Sequence, residues 1–203
     1  MHRIPPKLLL ASLLLALLLT PGAFAQPIEF GIDAAHSAVS FKVRHFFTQV
    51  PGHFDTFDGA IVYDPAKPES SRVEMTIQAA SIDTGNENRD QHLRSADFFE
   101  VETYPTVRFE SVSVTAKGDG ELEVLGDFTL HGKTKRMTVP VSVLGLMRGE
   151  QARAGFSAEF TIDRKEFGVS WNRALDNGGT ILGDEVKVTI DLEVVEKKAE
   201  SAG

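Results

Sequence analysis

The residues best suited to chemistry lie in one stretch: Asn88-Arg89-Asp90-Gln91-His92-Leu93-Arg94-Ser95-Ala96-Asp97-Phe98-Phe99. Two arginines, two aspartates and a histidine stand beside a pair of phenylalanines, in a chain that otherwise alternates apolar and polar residues. A polar cluster next to aromatic bulk suits a ligand with a charged head and an apolar body. Arg94 and Asp97 read as a solvated helix face, because charged helix faces are usually that. Arg89, Asp90 and His92 are the candidates for ligand contact, since charges beside aromatics break an otherwise tidy sheet pattern.

Other chemistries are weakly supported. His36, His45, His53, His92 and His131 are spread along the chain, and none forms the short paired spacing of strong zinc motifs. The sequence therefore assigns no metal and no cofactor. A metal-dependent hydrolase using His36, His45, His92 or His131, clustered by folding, is the enzymatic alternative. There is no Gly-x-Ser-x-Gly elbow and no Ser-x-x-Lys. Gly168-Val169-Ser170-Trp171-Asn172 lacks the second glycine, and Asp176-Asn177-Gly178-Gly179 reads as a turn rather than a phosphate loop. The chain has no cysteine, which excludes disulfides, thiolate catalysis and cysteine-based zinc sites.

The elements that must position the cluster follow from a period of two. Apolar residues alternate from Val39 through Phe41 to Val43, from Val73 to Ala79, from Leu122 to Leu130, from Met137 to Val143, from Phe156 to Ile162 and from Val186 to Val194. Gly52 to Tyr63 reads as one further strand. Pro105 to Ala116 reads as another, with a parity change near Ser111 that marks a β-bulge. Gly118-Asp119-Gly120, Gly132-Lys133 and Gly149-Glu150 read as turns. The expectation is an all-β fold of about eight antiparallel strands. Long strands with one wet face must close or stack to protect their edges. Strand length and sequential hairpins favour a closed barrel, which has room for one small ligand, over a two-sheet sandwich.

The opening stretch falls between the third and fourth of these strands. Asn86 or Asn88 can cap a helix, Asp90 precedes Arg94 by four residues, and Leu93, Ala96 and Phe99 recur at helical spacing. A short helix is expected there, ending before Pro105. An irregular region from Asp163 to Gly183 holds the only tryptophan, Trp171.

The chain start reads as an address. Arg3 and Lys7 precede an apolar run from Leu8 to Leu19, and Ala23-Phe24-Ala25 offers small residues for cleavage. Residues 1–25 are expected to be a secretory signal peptide. The apolar run is short against the roughly 20 residues of a membrane span, so no transmembrane anchor is expected after cleavage. The expected location is the periplasm. One domain is expected over residues 26–195, with a disordered tail at 196–203. Removing Arg3 and Lys7 from the 21 basic residues leaves 19 against 29 acidic, a net charge of −10. Such a surface repels nucleic acid and anionic membrane.

The phenylalanines carry a second hint. The chain has 14, one of them in the leader, and only two tyrosines. Phe46, Phe47, Phe54 and Phe57 cluster near the turn between the first two strands. Phenylalanine lines apolar cavities without needing a hydrogen-bond partner.

Taken in order, these segments resemble the YceI-like family of secreted bacterial proteins. The resemblance is carried by Asp33 to His45, by Gly52-His53-Phe54-Asp55-Thr56-Phe57-Asp58-Gly59, and most strongly by Ser81 to Phe99. Tyr104 to Ser111, Gly126-Asp127-Phe128-Thr129-Leu130-His131-Gly132-Lys133-Thr134-Lys135 and Arg164-Lys165-Glu166-Phe167-Gly168 complete it. The resemblance implies a lipocalin-like barrel with an elongated apolar cavity, binding a polyisoprenoid or other long-chain lipid without catalysis. Phe128 departs from it, since members often carry leucine there.

On this reading Phe41, Phe46, Phe54, Phe57, Phe98, Phe99, Phe128 and Trp171 hold the chain. Arg89, His92 and His45 meet the head, and Asp90 orients Arg89. An isoprene unit moved from water into such a tunnel gains about 3–4 kcal/mol at about 0.8 kcal/mol per carbon group, so the tail sets affinity and the head sets orientation. A homodimer remains open, as does a stress-response or interaction protein whose barrel is filled.

Overall fold

Eleven strands and one α-helix make up the computed structural model, which describes residues 27–174 and 180–198. The strands are β1 (Ile28–Ile32), β2 (Ala38–His45), β3 (Thr48–Phe54), β4 (Phe57–Tyr63), β5 (Arg72–Gln78), β6 (Ile82–Asp83), β7 (Thr106–Gly118), β8 (Glu121–Leu130), β9 (Lys133–Met147), β10 (Arg153–Asp163) and β11 (Leu182–Glu196). The helix α1 (Glu87–Arg94) lies between β6 and β7. All pairings between strands are antiparallel.

The ring runs β1-β4-β5-β7-β8-β9-β10-β11 and closes because β1 also pairs with β11. This is a closed eight-stranded barrel with a short helix inserted, as expected. Eleven strands make eight staves because three staves are each divided into two strands: β1 with β2, β3 with β4 and β5 with β6. β1 and β2 share one: β1 meets β11 at Val194 to Glu196, and β2 meets the same strand from Leu182 to Asp191. The run from Gly52 to Tyr63, expected as one strand, is likewise broken at Asp55 and Thr56 into β3 and β4. Strand β1, which closes the ring, is five residues long and too short for its alternation to announce it.

Parity decides what faces inward. In β8 every second residue from Leu122 to Leu130 is buried. In β7 the register shifts between Ser111 and Ser113, so Val112 is the extra residue and stands exposed while Val114 returns to the core. The reversals at Asp119-Gly120 and His131-Gly132 use positive φ, the backbone that two-residue hairpins require. Strand β11 runs one residue into the expected tail, and Lys197 N donates to Glu29 O at 2.8 Å. The expected signal peptide and residues 199–203 lie outside the described residues. Among those described, no helix is long and apolar enough to cross a membrane.

Glycine in the walls admits aromatic rings. A Cβ on Gly126 would stand 2.3 Å from the Phe109 ring and 2.7 Å from Glu110 O. Gly52 lies opposite Phe41 across the β2–β3 ladder, and a Cβ there would stand 2.3 Å from that ring. Gly126→Val should therefore destabilise the barrel by about 1–3 kcal/mol through overpacking, read as a lower urea midpoint at unchanged slope.

Candidate functional site

The barrel interior is an apolar tunnel in two chambers. The larger, of about 300 Å³, opens at the end where α1 lies. The smaller, of about 110 Å³, runs toward Tyr63 and Phe156. Both are lined by Ile77, Val107, Phe128, Phe160 and Ile190, so these residues form a shared waist. The Phe128 ring meets Phe160 at 6.3 Å and Phe167 at 5.3 Å, both edge-on.

The open end is built by α1, the β2–β3 hairpin and the segment from Val169 to Arg173. The helix begins where Asn86 caps it, its side-chain oxygen accepting from Arg89 N at 3.1 Å. It is fastened by its own side chains. Arg94 donates to Ala80 O and Ile82 O, each at 2.8 Å. The expected Asp90–Arg94 pairing does not form; Glu87 lies 3.6 Å from Arg94 instead. Arg94 therefore anchors the helix rather than facing water.

Asp90 is buried, and its Oδ1 accepts from both the backbone N and the hydroxyl of Thr84. The Thr84 hydroxyl in turn accepts from Arg89 Nε at 2.7 Å, and Thr84 O accepts from Arg89 Nη2 at 2.8 Å. Asp90 thus orients Arg89 through Thr84, without touching it and without lining the cavity. Arg89 itself lines the larger chamber, exposed at its mouth.

His92 completes the mouth. Its Nε2 lies 2.8 Å from Asp97 Oδ2, and its ring meets Phe98 and Trp171 edge-on at 5.0 Å each. Phe98 and Trp171 are 5.2 Å apart, so the three rings form one cluster. Phe99 packs edge-on against Phe54 at 5.9 Å. The larger chamber is thus lined by Phe41, His45, Phe54, Arg89, His92, Phe98, Phe99, Phe128 and Trp171 among the expected residues.

Three expected residues are placed elsewhere. Asp90 lies beneath the helix. Phe57 is buried in the core on β4, but outside the chamber lining. Phe46 sits at the tip of the β2–β3 hairpin, on the solvent side, because the two-residue turn carries it past the end of the sheet.

One lining residue was visible in the sequence only as part of a motif. Arg164 is 4% exposed. It donates through Nε to Gly183 O at 2.9 Å and through Nη1 to Val169 O at 2.7 Å and Trp171 O at 2.9 Å. Burial holds its guanidinium below the ordinary arginine range, and the charges of Asp184 and Asp163 oppose that shift. This arginine sets the path of the segment carrying Trp171. Its signal was a cation directly after a strand of clean alternation, where a solvated residue is the usual occupant.

The histidines are not gathered. Among the described residues, the groups with metal-ligand spacing are Asp33, His36 and Glu193, and separately His53, Asp55 and Asp83. Each contains one histidine. Arg153 already bridges Asp33 and Glu193. His45, His92 and His131 belong to neither group, so of the histidines named for the hydrolase alternative only His36 stands in such a group, and no two of them share one.

The YceI-like domain pattern matches residues 30–194. The chain belongs to the YceI-like family. It is 39% identical to a UPF0312 protein of Vibrio cholerae serotype O1 over 169 residues, 80% of this chain and 88% of that one. Among solved structures, BcnA of Burkholderia cenocepacia aligns with a TM-score of 0.71 at 30% identity, covering 80% of this chain and 98% of that one. A polyisoprenoid binding domain from Saccharophagus degradans, implicated in plant cell wall breakdown, aligns with a TM-score of 0.64 at 16% identity. It covers 84% of this chain and 99% of its own, and at that identity it bears on the fold alone.

Arg164→Met should leave three carbonyls without a donor, at about 1–3 kcal/mol for each one that stays buried. A large fall in melting temperature is expected, together with a shift in Trp171 fluorescence. Arg164→Lys should recover little of it, because an ammonium cannot reproduce the planar fork.

Proposed function

We propose that this YceI-like protein binds a polyisoprenoid or similar long-chain amphiphile, with the tail along the tunnel and the head at the mouth beside Arg89, His92 and His45. The observation that carries this reading is the pairing of an apolar tunnel with a cationic mouth. The described lining residues include Arg89, Arg164, His45 and His92 and no carboxylate. An anionic or hydrogen-bond-accepting head, such as a phosphate or carboxylate, suits that mouth. The larger chamber falls at the low end of the roughly 300–1,000 Å³ of ligand pockets, and its continuation past the waist suits a chain rather than a compact molecule.

The role is sequestration or carriage, without catalysis. Binding needs nothing beyond the tunnel and the mouth, and among the described residues no group in the mouth is set against a second as nucleophile and base. The secretory leader expected from the sequence puts this work in the periplasm.

Native mass spectrometry of protein purified from its own periplasm without detergent tests the reading. A bound amphiphile in about one copy per chain is expected. Protein at its bare mass, unable to take up geranylgeranyl phosphate, would sink it. Phe128→Leu opens the waist and should shift the bound population toward longer chains. Arg89→Ala should weaken binding of geranylgeranyl phosphate about tenfold or more, as loss of a charge-assisted hydrogen bond of about 1.5–3 kcal/mol implies. The same substitution should leave geranylgeraniol nearly unaffected.

A further inference from the structure

The tip of the β2–β3 hairpin places two phenylalanines outside the barrel. Phe47 is 98% exposed and Phe46 is 39% exposed. The rings are stacked on each other at 6.4 Å, and His45 lies edge-on to Phe46 at 4.8 Å. Singly exposed apolar residues are ordinary, but adjacent rings at the apex of a two-residue turn form a projecting wedge.

The turn is held in place. Phe46 adopts φ 51°, a left-handed conformation that is rare for a bulky side chain and persists only where the surroundings enforce it. The enforcing contacts are Phe46 N donating to Ile181 O at 2.8 Å and Arg44 Nη1 donating to Phe46 O at 3.0 Å. The wedge is therefore fixed relative to the barrel mouth. Its neighbours His45, Val43, Val50 and Leu182 line the larger chamber.

We propose that this tip docks on a lipid bilayer and holds the tunnel mouth at the membrane surface, where an amphiphile can pass between bilayer and barrel. The proposal rests on the lipid-binding reading above. Three observations favour a bilayer over a protein partner. The wedge is two side chains, against roughly 800 Å² per partner in a stable protein interface. It is continuous with the opening through which an amphiphile must enter. The segment from Lys42 to Val50 carries Lys42, Arg44 and His45 and no carboxylate, although residues 26–203 carry a net charge of −10. The facing stretch of β11 adds Asp184 and Glu185, of which Asp184 is paired with Arg164 and Lys165. Apolar area together with local positive charge is what draws a surface segment to anionic lipid.

Co-sedimentation with vesicles of phosphatidylethanolamine and phosphatidylglycerol in equal parts tests it. Wild type, Phe47→Ser and Phe46→Ser/Phe47→Ser are compared, each also loaded with geranylgeraniol added from solution. Phe47→Ser should lose about tenfold or more in vesicle partitioning, the double variant more, because each ring removed takes its apolar burial with it. Melting temperature and geranylgeraniol uptake of Phe47→Ser should match wild type. Equal sedimentation of variants and wild type overturns the proposal, as does wild type that stays in the supernatant. A wild-type dimer that Phe47→Ser converts to monomer also overturns it and assigns the tip to a second copy. Wild type that sediments through Phe47 yet takes up no geranylgeraniol supports docking and overturns the lipid-binding reading instead.

Discussion

Where the sheet stops supplying hydrogen-bond donors, arginines take over. A barrel satisfies its backbone only while the ladder continues around the ring, and an unpaired buried carbonyl is costly. At the open end the ladder thins to the two-residue strand β6. There Arg94 and Arg89 reach the carbonyls of Ala80, Ile82 and Thr84. Across the mouth Arg164 reaches those of Val169, Trp171 and Gly183. The planar guanidinium suits the task because it offers several donors in one rigid fork and keeps its charge when desolvated. The result is an end that is both fastened and open.

This arrangement explains why the mouth is cationic without a dedicated binding motif. The residues that hold α1 and the Trp171 segment in place also supply the field that a head group meets. Beyond them the walls are apolar down to the far end. Side chains lining such a tunnel lack packing partners on one side and forgo the dispersion contacts that a filled core would give them. A bound chain would recover part of that, so ligand and fold stability are coupled through the same walls.

The architecture was legible in the sequence because a barrel writes a period of two along nearly every stave. The β8 alternation from Leu122 to Leu130 and the parity change of β7 near Ser111 read directly. What alternation cannot show is a bend within a stave. The break at Asp55 and Thr56 leaves the apolar pattern almost intact, and β1 is too short to display one. The site was legible as a segment, since the 88–99 stretch disturbs the pattern. Its division of labour was not. Arg89, Asp90 and Arg94 look alike on paper, but burial separates them: Asp90 lies under the helix, Arg94 on sheet carbonyls and Arg89 at the mouth. Phe46 and Phe57 were grouped with Phe54 by proximity in sequence, whereas the hairpin turn carries Phe46 to the solvent side and Phe57 is buried on β4 outside the chamber lining.

The central claim is that a chain threads the waist with its head at the arginines. Nuclear Overhauser contacts of geranylgeranyl phosphate bound to the protein test it most directly. The account predicts contacts from the terminal methyl groups to Leu122, Val124 and Val139 beyond Phe128, with the phosphate resonance shifted in wild type and less so in Arg89→Ala. Contacts confined to the outer surface, or a reversed chain with its phosphate at the Tyr63 end, would contradict it.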